Sequence, residues 1–410
     1  MSHINISYET NIVHFTFLSI DHLIYESYNK IKESAYQMFK PDKSYINYTL
    51  KVLGLSKASK PINDLLKSNS CVVNDFKKSF IQKASISLES AKIFVESYKA
   101  KNLKVIKISE SSVDTSTPIL MCATKDDFNK VEKQILYHRK LGFKHFAYID
   151  NNSTDGTYEW LLEQDDVSVF SISEKYIGTR RNSWRKQAMD FFGYDRWYLI
   201  LDSDEFFAYP GMEQVTIEKY IGFLEKNRIY SALTPMIDMY TKDSLFSGTM
   251  EQFDLDYCYF DTDTYIEKSR HTGTEIFGGP RQRLFPNEDT SIANLLTKYA
   301  LVKPAKAYIC DTHRNYPLKS NRQCKKAVAF LLHYKFLPDD IIKYEEIIKI
   351  GHYSGGSGQY KHYKSIYENT PNLSFYYKKS QKMNSSLDLL KINIINKPFY
   401  DKFLKYFSDS

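Results

Sequence analysis

The feature that most constrains the fold is an alternation of short apolar runs with amphipathic stretches, which starts at Pro118. Apolar runs typical of buried strands cover 119–122, 146–149, 167–172, 197–201 and 230–237, and helical spacing covers 126–141, 156–162, 179–192 and 215–225. Strands that alternate with helices of roughly 10–15 residues form β-α-β units. The pattern therefore predicts an α/β domain with a mainly parallel sheet covered by helices on both faces.

Two flanking regions differ from this alternating part of the chain. Residues 1–113 carry no chemical motif, although helical spacing is found over 21–39 and 77–99. We assign residues 114–340 to the α/β domain. Residues 341–410 are rich in lysine and tyrosine, and we assign them to a helical C-terminal extension.

Composition indicates a globular protein of more than one domain. The 410 residues are 42% hydrophobic and 26% charged, and no apolar run of about 18 residues predicts a membrane-spanning helix. The start of the chain lacks a signal-peptide pattern, and the five cysteines are scattered without a C-x-x-C pair. These features predict a cytoplasmic location. The stretch 389–407 mixes apolar and basic residues, so it suits either the inner face of the membrane or packing on its own domain.

An acidic tetrapeptide, Asp202-Ser203-Asp204-Glu205, directly follows the apolar run 197–201. Charge at the end of a buried strand is costly unless it is paired or holds a metal. Mg²⁺ and Mn²⁺ take carboxylate oxygens and complete their shells with water and phosphate. We therefore predict a metal site with Asp202 and Asp204 as ligands. A solvated acidic turn is the structural alternative.

A second polar segment, YIDNNSTDGT at 148–157, follows the apolar run 146–149. A carboxylate at a strand end, here Asp150, can accept hydrogen bonds from a nucleoside, and helix N-termini favour bound phosphate. We predict nucleotide contacts from Asp150, Asn152 and Asp155. A capped βα loop is the alternative, and it explains the polar residues after Asn152 but not Asp150.

Two segments together, IDNNSTDGT at 149–157 and WYLILDSDEFF at 197–207, resemble the family 2 glycosyltransferases of the GT-A fold. The likeness is closest to the branch that also resembles glycosyltransferase family 92, to which QILYHRKLGFKHF at 134–146 is similar as well. The resemblance covers roughly residues 117–340 and implies a Rossmann-like GT-A sheet, mixed but mainly parallel. One departure is the sequence TKDD at 124–127, where the family often has Asn-Glu, and Asp127 is the candidate substitute.

The resemblance implies a sugar nucleotide as donor, with a UDP-sugar expected, and a divalent cation, Mn²⁺ or Mg²⁺, that neutralises the departing diphosphate. Asp202 and Asp204 would hold this cation. The second aspartate is usually the direct ligand in this family, which favours Asp204 and leaves Glu205 unassigned. His333 lies where the branch has a late histidine ligand, although a core histidine is the alternative, and His313 is a weaker candidate.

Four arginines are candidates for anion binding. Arg181 and Arg185 share one face of a predicted helix and could meet the donor diphosphate or the acidic tetrapeptide. Surface arginines on an exposed helix are the alternative. Arg281 and Arg283, in a segment that resembles the family's basic stretch beside the acceptor site, fall on one face of an extended chain. They could bind an anionic acceptor or the leaving diphosphate.

An inverting transfer needs a carboxylate that removes the proton of the acceptor hydroxyl. Glu275, just before the basic segment, and Asp238, at the end of a predicted strand, are the candidates for this general base. Either could equally be a structural carboxylate. The glycine-rich stretch 351–358 lacks the spacing of a P-loop and is interpreted as a flexible loop over the donor.

The leading interpretation is a metal-dependent, inverting glycosyltransferase that acts on a glycan or glycolipid in cell-surface polysaccharide synthesis. No nucleic-acid partner is predicted. A nucleotidyltransferase acting on sugar phosphates is the enzymatic alternative, but no glycine-rich phosphate loop follows the first strand. A non-catalytic glycan-binding protein on a transferase fold is the other alternative, and it would not require Asp150, Asp202 and Asp204.

Overall fold

The computed structural model describes residues 101–176, 178–249, 251–270, 273–284, 295–304, 310–315, 318–350 and 354–408. The chain divides into two compact units between Ala100 and Lys101, so these residues all belong to the second unit. The helices predicted over 21–39 and 77–99 lie outside the described residues, as does the start, 351–353, of the glycine-rich stretch. Residues 354–358 of that stretch are helical, so the prediction of a loop is wrong there.

Strands and helices alternate through the first half of this unit. The strands are β1 (Lys104–Lys107), β2 (Ile119–Thr124), β3 (His145–Asp150), β4 (Val167–Ser171), β5 (Tyr198–Leu201), β6 (Glu205–Ala208), β7 (Ser231–Ala232), β8 (Met236–Asp238), β9 (Tyr259–Phe260), β10 (Ile266–Arg270), β11 (Gly273–Phe277), β12 (Leu301–Val302), β13 (Phe330–His333) and β14 (Gln381–Lys382). The helices are α1 (Phe128–Lys140), α2 (Thr157–Glu163), α3 (Gly178–Phe192), α4 (Ile217–Lys226), α5 (Phe253–Asp256), α6 (Gly279–Leu284), α7 (Asp340–Ile350), α8 (Ser354–Asn369) and α9 (Lys397–Ser408). Short 3₁₀ segments cover Glu110–Val113, Leu318–Arg322 and Ser386–Lys391.

A seven-stranded sheet with the order β1-β4-β3-β2-β5-β12-β7 forms the centre. Its core strands β4, β3, β2 and β5 are parallel, whereas β1 and β12 run antiparallel to their neighbours. Every residue of β2, β3 and β5 is buried, as expected for strands covered on both faces. The predicted α/β domain with a mainly parallel central sheet is therefore confirmed.

A second sheet has three strands in the order β6-β13-β8, and its first strand in the chain begins inside the acidic tetrapeptide. Strand β6 starts at Glu205 and pairs antiparallel with β13, which pairs in parallel with β8. The single strand predicted over 230–237 is instead divided into β7 and β8. Pro235 lies between them and has no N–H to donate to a ladder, so the strand pairing is interrupted at this point.

The C-terminal helix α9 packs on α4 of the same unit. Phe399, Tyr400 and Phe403 are buried, and the ring centroids of Phe399 and Phe403 lie 5.2 and 5.3 Å from that of Phe223. The apolar face of the tail is thus covered by its own domain. Within the part of the chain described by the structure, no helix has the length and apolar character needed to cross a membrane.

Two buried histidines in the core are held in the neutral form. His138 Nδ1 lies 2.7 Å from the Gln134 carbonyl, so it carries the proton, and Nε2 accepts from the Phe207 N–H at 3.2 Å. A second proton on the ring would break that bond. Burial lowers the pKa of His138 to about 3 and that of His145 to about 4.

We expect the free energy of unfolding to fall as the pH drops from 7.5 to 5.0. In the unfolded chain these imidazoles bind a proton near pH 6.5, whereas in the folded protein they remain neutral until about pH 4 or below. The unfolded state therefore binds more protons below pH 6.5, and each histidine removes about 2 kcal/mol of stability at pH 5. Urea unfolding at the two pH values measures the loss, and His145→Gln should reduce it. An equal pH dependence in the variant would contradict the assignment.

Candidate functional site

A cavity of about 370 Å³ opens at the carboxyl ends of β2 and β5. From β2 the chain builds the sheet outward through β3 and β4 on one side, and β5 lies on the other. The cavity is therefore at the switch point of strand order, where α/β sheets bind their ligands. Its wall consists of Ala123, Thr124, Lys125, Asp126, Asp127, Lys130, Asn151, Glu174, Lys175, Tyr176, Arg181, Asp202, Ser203, Asp204, Lys335, Asp340, Lys343, Tyr344, Ile347 and Tyr360.

The nucleotide candidates after β3 have unequal surroundings. Asp150 is 2% exposed and accepts from the Ser153 N–H, and burial raises its pKa. Its neighbours Thr124 and Asn151 line the cavity, whereas Asp150 itself is not among the lining residues. Asn152 is exposed and has a φ of 62°, in the left-handed region.

Asp155 braces two loops against each other. Its carboxylate accepts from the Phe128 N–H at 3.0 Å and from the Thr157 N–H at 3.0 Å. The first backbone N–H groups of a helix have no partner within the helix, and Asp155, in the loop after β3, accepts one of them at the start of α1. The sequence predicted a cap for the helix that follows Asp155, and the contact with the preceding helix α1 was not foreseen.

Asp202 lies among three cations. Its Oδ1 accepts from Arg181 Nη1 and Arg185 Nη2, each at 2.9 Å, and its Oδ2 accepts from Lys298 Nζ at 3.1 Å. Burial opposes ionisation, but Arg181, Lys298 and Arg185 outweigh it and hold the pKa of Asp202 well below its usual range. The shared face of the two arginines thus meets the acidic tetrapeptide. Strand β2 separates β5 from β3, so the strands that Asp202 and Asp150 follow or end are not neighbours in the sheet.

Lys298 is a buried residue that the sequence did not reveal. Its side chain is 1% exposed, and Nζ lies 2.9 Å from Glu205 Oε1 in addition to its bond with Asp202. The other Glu205 oxygen accepts from the Asp202 N–H at 3.0 Å, and burial raises the pKa of Glu205. Glu205 therefore closes the turn from within and does not face the cavity. Lys298 belongs to no motif, so no local signal indicated it.

Gln134 on α1 fixes the backbone of the acidic turn. This fully buried side chain donates from Nε2 to the carbonyls of Asp202 and Glu205, both at 2.8 Å, while its Oε1 accepts from Tyr148 OH at 2.7 Å. A buried carbonyl without a partner is costly. The amide of Gln134 therefore positions the turn without contributing charge.

Asp204 stands on the cavity wall and faces a histidine. Its Oδ2 lies 3.4 Å from His333 Nε2, and His333 Nδ1 lies 2.7 Å from Asp238 Oδ1. The strand pairing explains this arrangement, because His333 on β13 is in register with Glu205 on β6 and with Asp238 on β8. Burial opposes ionisation of Asp204, but Lys335 and His333 outweigh it and hold its pKa well below the usual range.

The residues around Asp204 fit a divalent cation in part. Metal-bound histidines commonly donate their second N–H to a carboxylate, as His333 does to Asp238. Asp204 and His333 are therefore a suitable pair of ligands. Among the described residues, however, no group of three His, Cys, Asp or Glu side chains converges to hold a metal by itself. Mg²⁺ often takes only one or two protein carboxylates and completes its shell with water and phosphate.

No protein-family model matches the chain, and no curated protein matches it either. The function is therefore inferred from the geometry of the cavity and the chemistry of its wall.

The arginines after β11 lie on the short helix α6, so the prediction that they share a face of an extended chain is wrong, and both are paired with carboxylates of the protein. Arg281 Nε donates to Asp238 Oδ2 at 2.8 Å, and Arg283 Nε donates to Asp261 Oδ2 at 3.2 Å. Burial opposes ionisation of Asp238, but Arg281 and His333 outweigh it and lower its pKa to about 2. Asp238 is also only 1% exposed, so it orients His333 in this structure and is not open to an acceptor.

The remaining candidates lie away from the cavity wall. Glu275 Oε1 accepts from Arg314 Nη2 at 2.8 Å, and its other oxygen accepts from Arg270 Nε at 3.3 Å. Neither Glu275 nor Asp238 is among the residues that line the cavity. His313 Nδ1 lies 2.7 Å from the Thr297 carbonyl, and burial together with Lys298 lowers its pKa.

Proposed function

We propose that this protein is a metal-dependent, inverting glycosyltransferase of the GT-A fold, similar to family 2 enzymes. It would transfer a sugar from a nucleoside-diphosphate donor, with a UDP-sugar expected, to a glycan or glycolipid of a cell-surface polysaccharide. The observation that carries the proposal is the pair Asp204 and His333, backed by Asp238, beside a cavity at the switch point of the sheet. The cavity of about 370 Å³ lies within the range of roughly 300–1,000 Å³ typical of small-molecule sites.

Two buried polar atoms of the cavity wall support a polar ligand. Thr124 Oγ1 and Arg181 Nε are buried without a hydrogen-bond partner in the protein, and both residues line the cavity. A buried polar atom left without a partner costs about 1–3 kcal/mol. A nucleotide with hydroxyl, carbonyl and phosphate oxygens can supply the missing partners.

The charges on the cavity wall favour a metal–nucleotide complex over a free anion. Several cations of the wall are already paired: Lys130 with Asp340, Lys343 with Asp127 and Arg181 with Asp202. Such pairs are close to neutral together, so an unaccompanied diphosphate would bring uncompensated negative charge. A divalent cation bound by Asp204 and His333 would supply Lewis-acid stabilisation of that charge.

The chain's own residues have distinct tasks in this proposal. Asp150 and Thr124, at the ends of β3 and β2, would bind the nucleoside. Gln134 holds the acidic turn in place, and Asp202 is the supporting carboxylate that organises the arginines of α3. Neither Glu275 nor Asp238 lines the cavity, so the proposal does not depend on either as the general base.

A thermal-shift screen tests the proposal directly. UDP, GDP, dTDP and their sugar conjugates would be added to the full chain with Mn²⁺ or with EDTA, because a ligand that binds only the native state raises the melting temperature. We expect at least one nucleoside diphosphate to give a shift of several degrees that EDTA abolishes. The absence of a shift with every nucleotide, in both conditions, would refute the proposal.

Product analysis separates the transferase from the nucleotidyltransferase alternative. A glycosyltransferase releases a nucleoside diphosphate from the sugar nucleotide, whereas a nucleotidyltransferase attacks the α-phosphate and forms or consumes pyrophosphate. Metal-dependent release of the nucleoside diphosphate is expected. Formation of a sugar nucleotide together with pyrophosphate from a nucleoside triphosphate and a sugar phosphate, without release of a nucleoside diphosphate, would favour the alternative.

A further inference from the structure

Lys335 reaches the cavity two residues beyond His333, after the end of β13. Residues at i and i+2 of an extended chain point the same way, and both side chains approach the same oxygen of Asp204. Lys335 Nζ lies 3.5 Å from Asp204 Oδ2. The Lys335 carbonyl accepts from Tyr344 OH, so the backbone is anchored while the ammonium extends into the cavity.

The ammonium of Lys335 differs from the other cations of the cavity wall. Three of the others are held by carboxylates: Lys130 by Asp340, Lys343 by Asp127 and Arg181 by Asp202. Two more, Lys125 and Lys175, are exposed. Lys335 has only 14% of its side chain exposed, yet its contact with Asp204 is longer than a normal hydrogen bond. Among the partly buried cations of this wall, Lys335 therefore has the weakest contact with a carboxylate.

The surroundings of Lys335 keep its ammonium available to an anion. Nζ donates to Tyr360 OH at 3.3 Å and lies 4.9 Å from the centroid of the Tyr360 ring, a distance that favours a cation–π contact. An ammonium carries three donors, so donors remain after the bond to Tyr360. Phosphate oxygens form charge-assisted bonds with such donors, and these are about twice as strong as neutral ones.

We propose that Lys335 binds the distal phosphate of the nucleoside diphosphate, and that the cavity distinguishes diphosphates from monophosphates through this ammonium. The inference rests on the proposed function, which supplies the nucleotide. Asp150 and Thr124 lie at the β3–β2 side of the site, whereas Lys335 lies beside Asp204, where the second sheet begins. A nucleotide whose nucleoside binds beside Asp150 and Thr124 would extend its second phosphate toward Lys335.

The test compares the binding of two nucleotides to three versions of the full chain. The probes are the best-binding member of UDP, GDP and dTDP and its monophosphate, titrated calorimetrically with Mn²⁺ and with EDTA. In Lys335→Ala the Kd for the diphosphate should rise about 10- to 100-fold, while the Kd for the monophosphate changes less than about twofold. Lys335→Arg should restore part of the diphosphate affinity. Lys349→Ala, an exposed lysine on α7, is the matched control and should bind as the parent does.

The outcomes separate this inference from the proposed function. Failure of the parent protein to bind any nucleoside diphosphate would remove the proposed function itself. Tight binding by the parent with an unchanged Kd in Lys335→Ala would overturn the role of Lys335 alone. An equal loss of affinity for the diphosphate and the monophosphate, in Lys335→Ala and Lys335→Arg alike, would also overturn it. A purely structural role of Lys335 would weaken the binding of both nucleotides to the same extent.

Discussion

Replacing Asp204 with asparagine should reduce metal-dependent release of nucleoside diphosphate by about 10²–10³-fold or more. The variant retains the shape of the side chain but loses the charge that pairs with His333 and that a divalent cation requires. Asp204 is 16% exposed, and its contacts with His333 and Lys335 are 3.4 and 3.5 Å long. The loss of stability should therefore be smaller than that of a tightly paired buried charge, about 1–3 kcal/mol. Activity is measured as release of nucleoside diphosphate with saturating Mn²⁺.

Asp339→Asn is the matched control for this substitution. Asp339 is exposed, accepts from Asn129 Nδ2 at 3.2 Å and is not among the residues that line the cavity. It should retain the activity of the parent protein. If Asp204→Asn retained parental activity while folding normally, Asp204 would not be the metal ligand, and the site would have to be assigned elsewhere.

Replacing Asp202 with alanine should act mainly on stability. The substitution leaves Arg185, which is fully buried, without its carboxylate, whereas Lys298 keeps Glu205 at 2.9 Å. Removing one partner from a buried ion pair costs about 3–5 kcal/mol, because the remaining charge is uncompensated. The free energy of unfolding, measured with urea near neutral pH, should fall by that amount. Added nucleotide should recover only part of it.

Asp190→Ala provides the comparison, because Asp190 lies on α3, the helix that carries Arg185. Asp190 is 42% exposed and pairs with Lys186 one turn earlier, at 2.8 Å. Pairs one turn apart on a helix contribute about 0.3–0.5 kcal/mol. Lys186 is only 8% exposed but keeps its bond to Tyr194 OH, so the loss should stay well below that of Asp202→Ala. Equal losses in Asp190→Ala and Asp202→Ala would show that Asp202 does not compensate the buried cations.

Much of the central sheet could be predicted from local pattern. The runs that became β2, β3 and β5 are apolar over 119–122, 146–149 and 197–201, and the run of β4 is interrupted only by serines. A stretch with helical spacing follows each run before the next strand of the central sheet. Strand order is not encoded locally. The position of β2 between β3 and β5 therefore appeared only in the folded chain, and with it the separation of Asp150 from Asp202.

Parts of the site could not be predicted because their partners are distant in sequence. Lys298 follows no motif, and its contacts with Asp202 and Glu205 depend on a strand pairing across about a hundred residues. Strand β6 begins at Glu205, the last residue of the acidic tetrapeptide. Because an acidic tetrapeptide is typical of a turn, the sequence did not predict a strand that starts inside it. Lys335 did have a local signal, since it lies two residues after His333 and alternate residues of an extended chain share a face.

Gln134 positions the acidic turn through backbone atoms, whereas the chemistry of the turn depends on its side chains. Its amide donates to backbone carbonyls, which every amino acid possesses, so these two bonds do not depend on the side chains at positions 203 and 204, while the Glu205 carboxylate closes the same turn through the Asp202 N–H. Natural variation or laboratory selection could therefore replace Ser203, for example, while the carboxylate of Asp204 keeps its position in the cavity wall. A scaffold of this kind allows the ligand of the cavity to change over evolutionary time without a new fold.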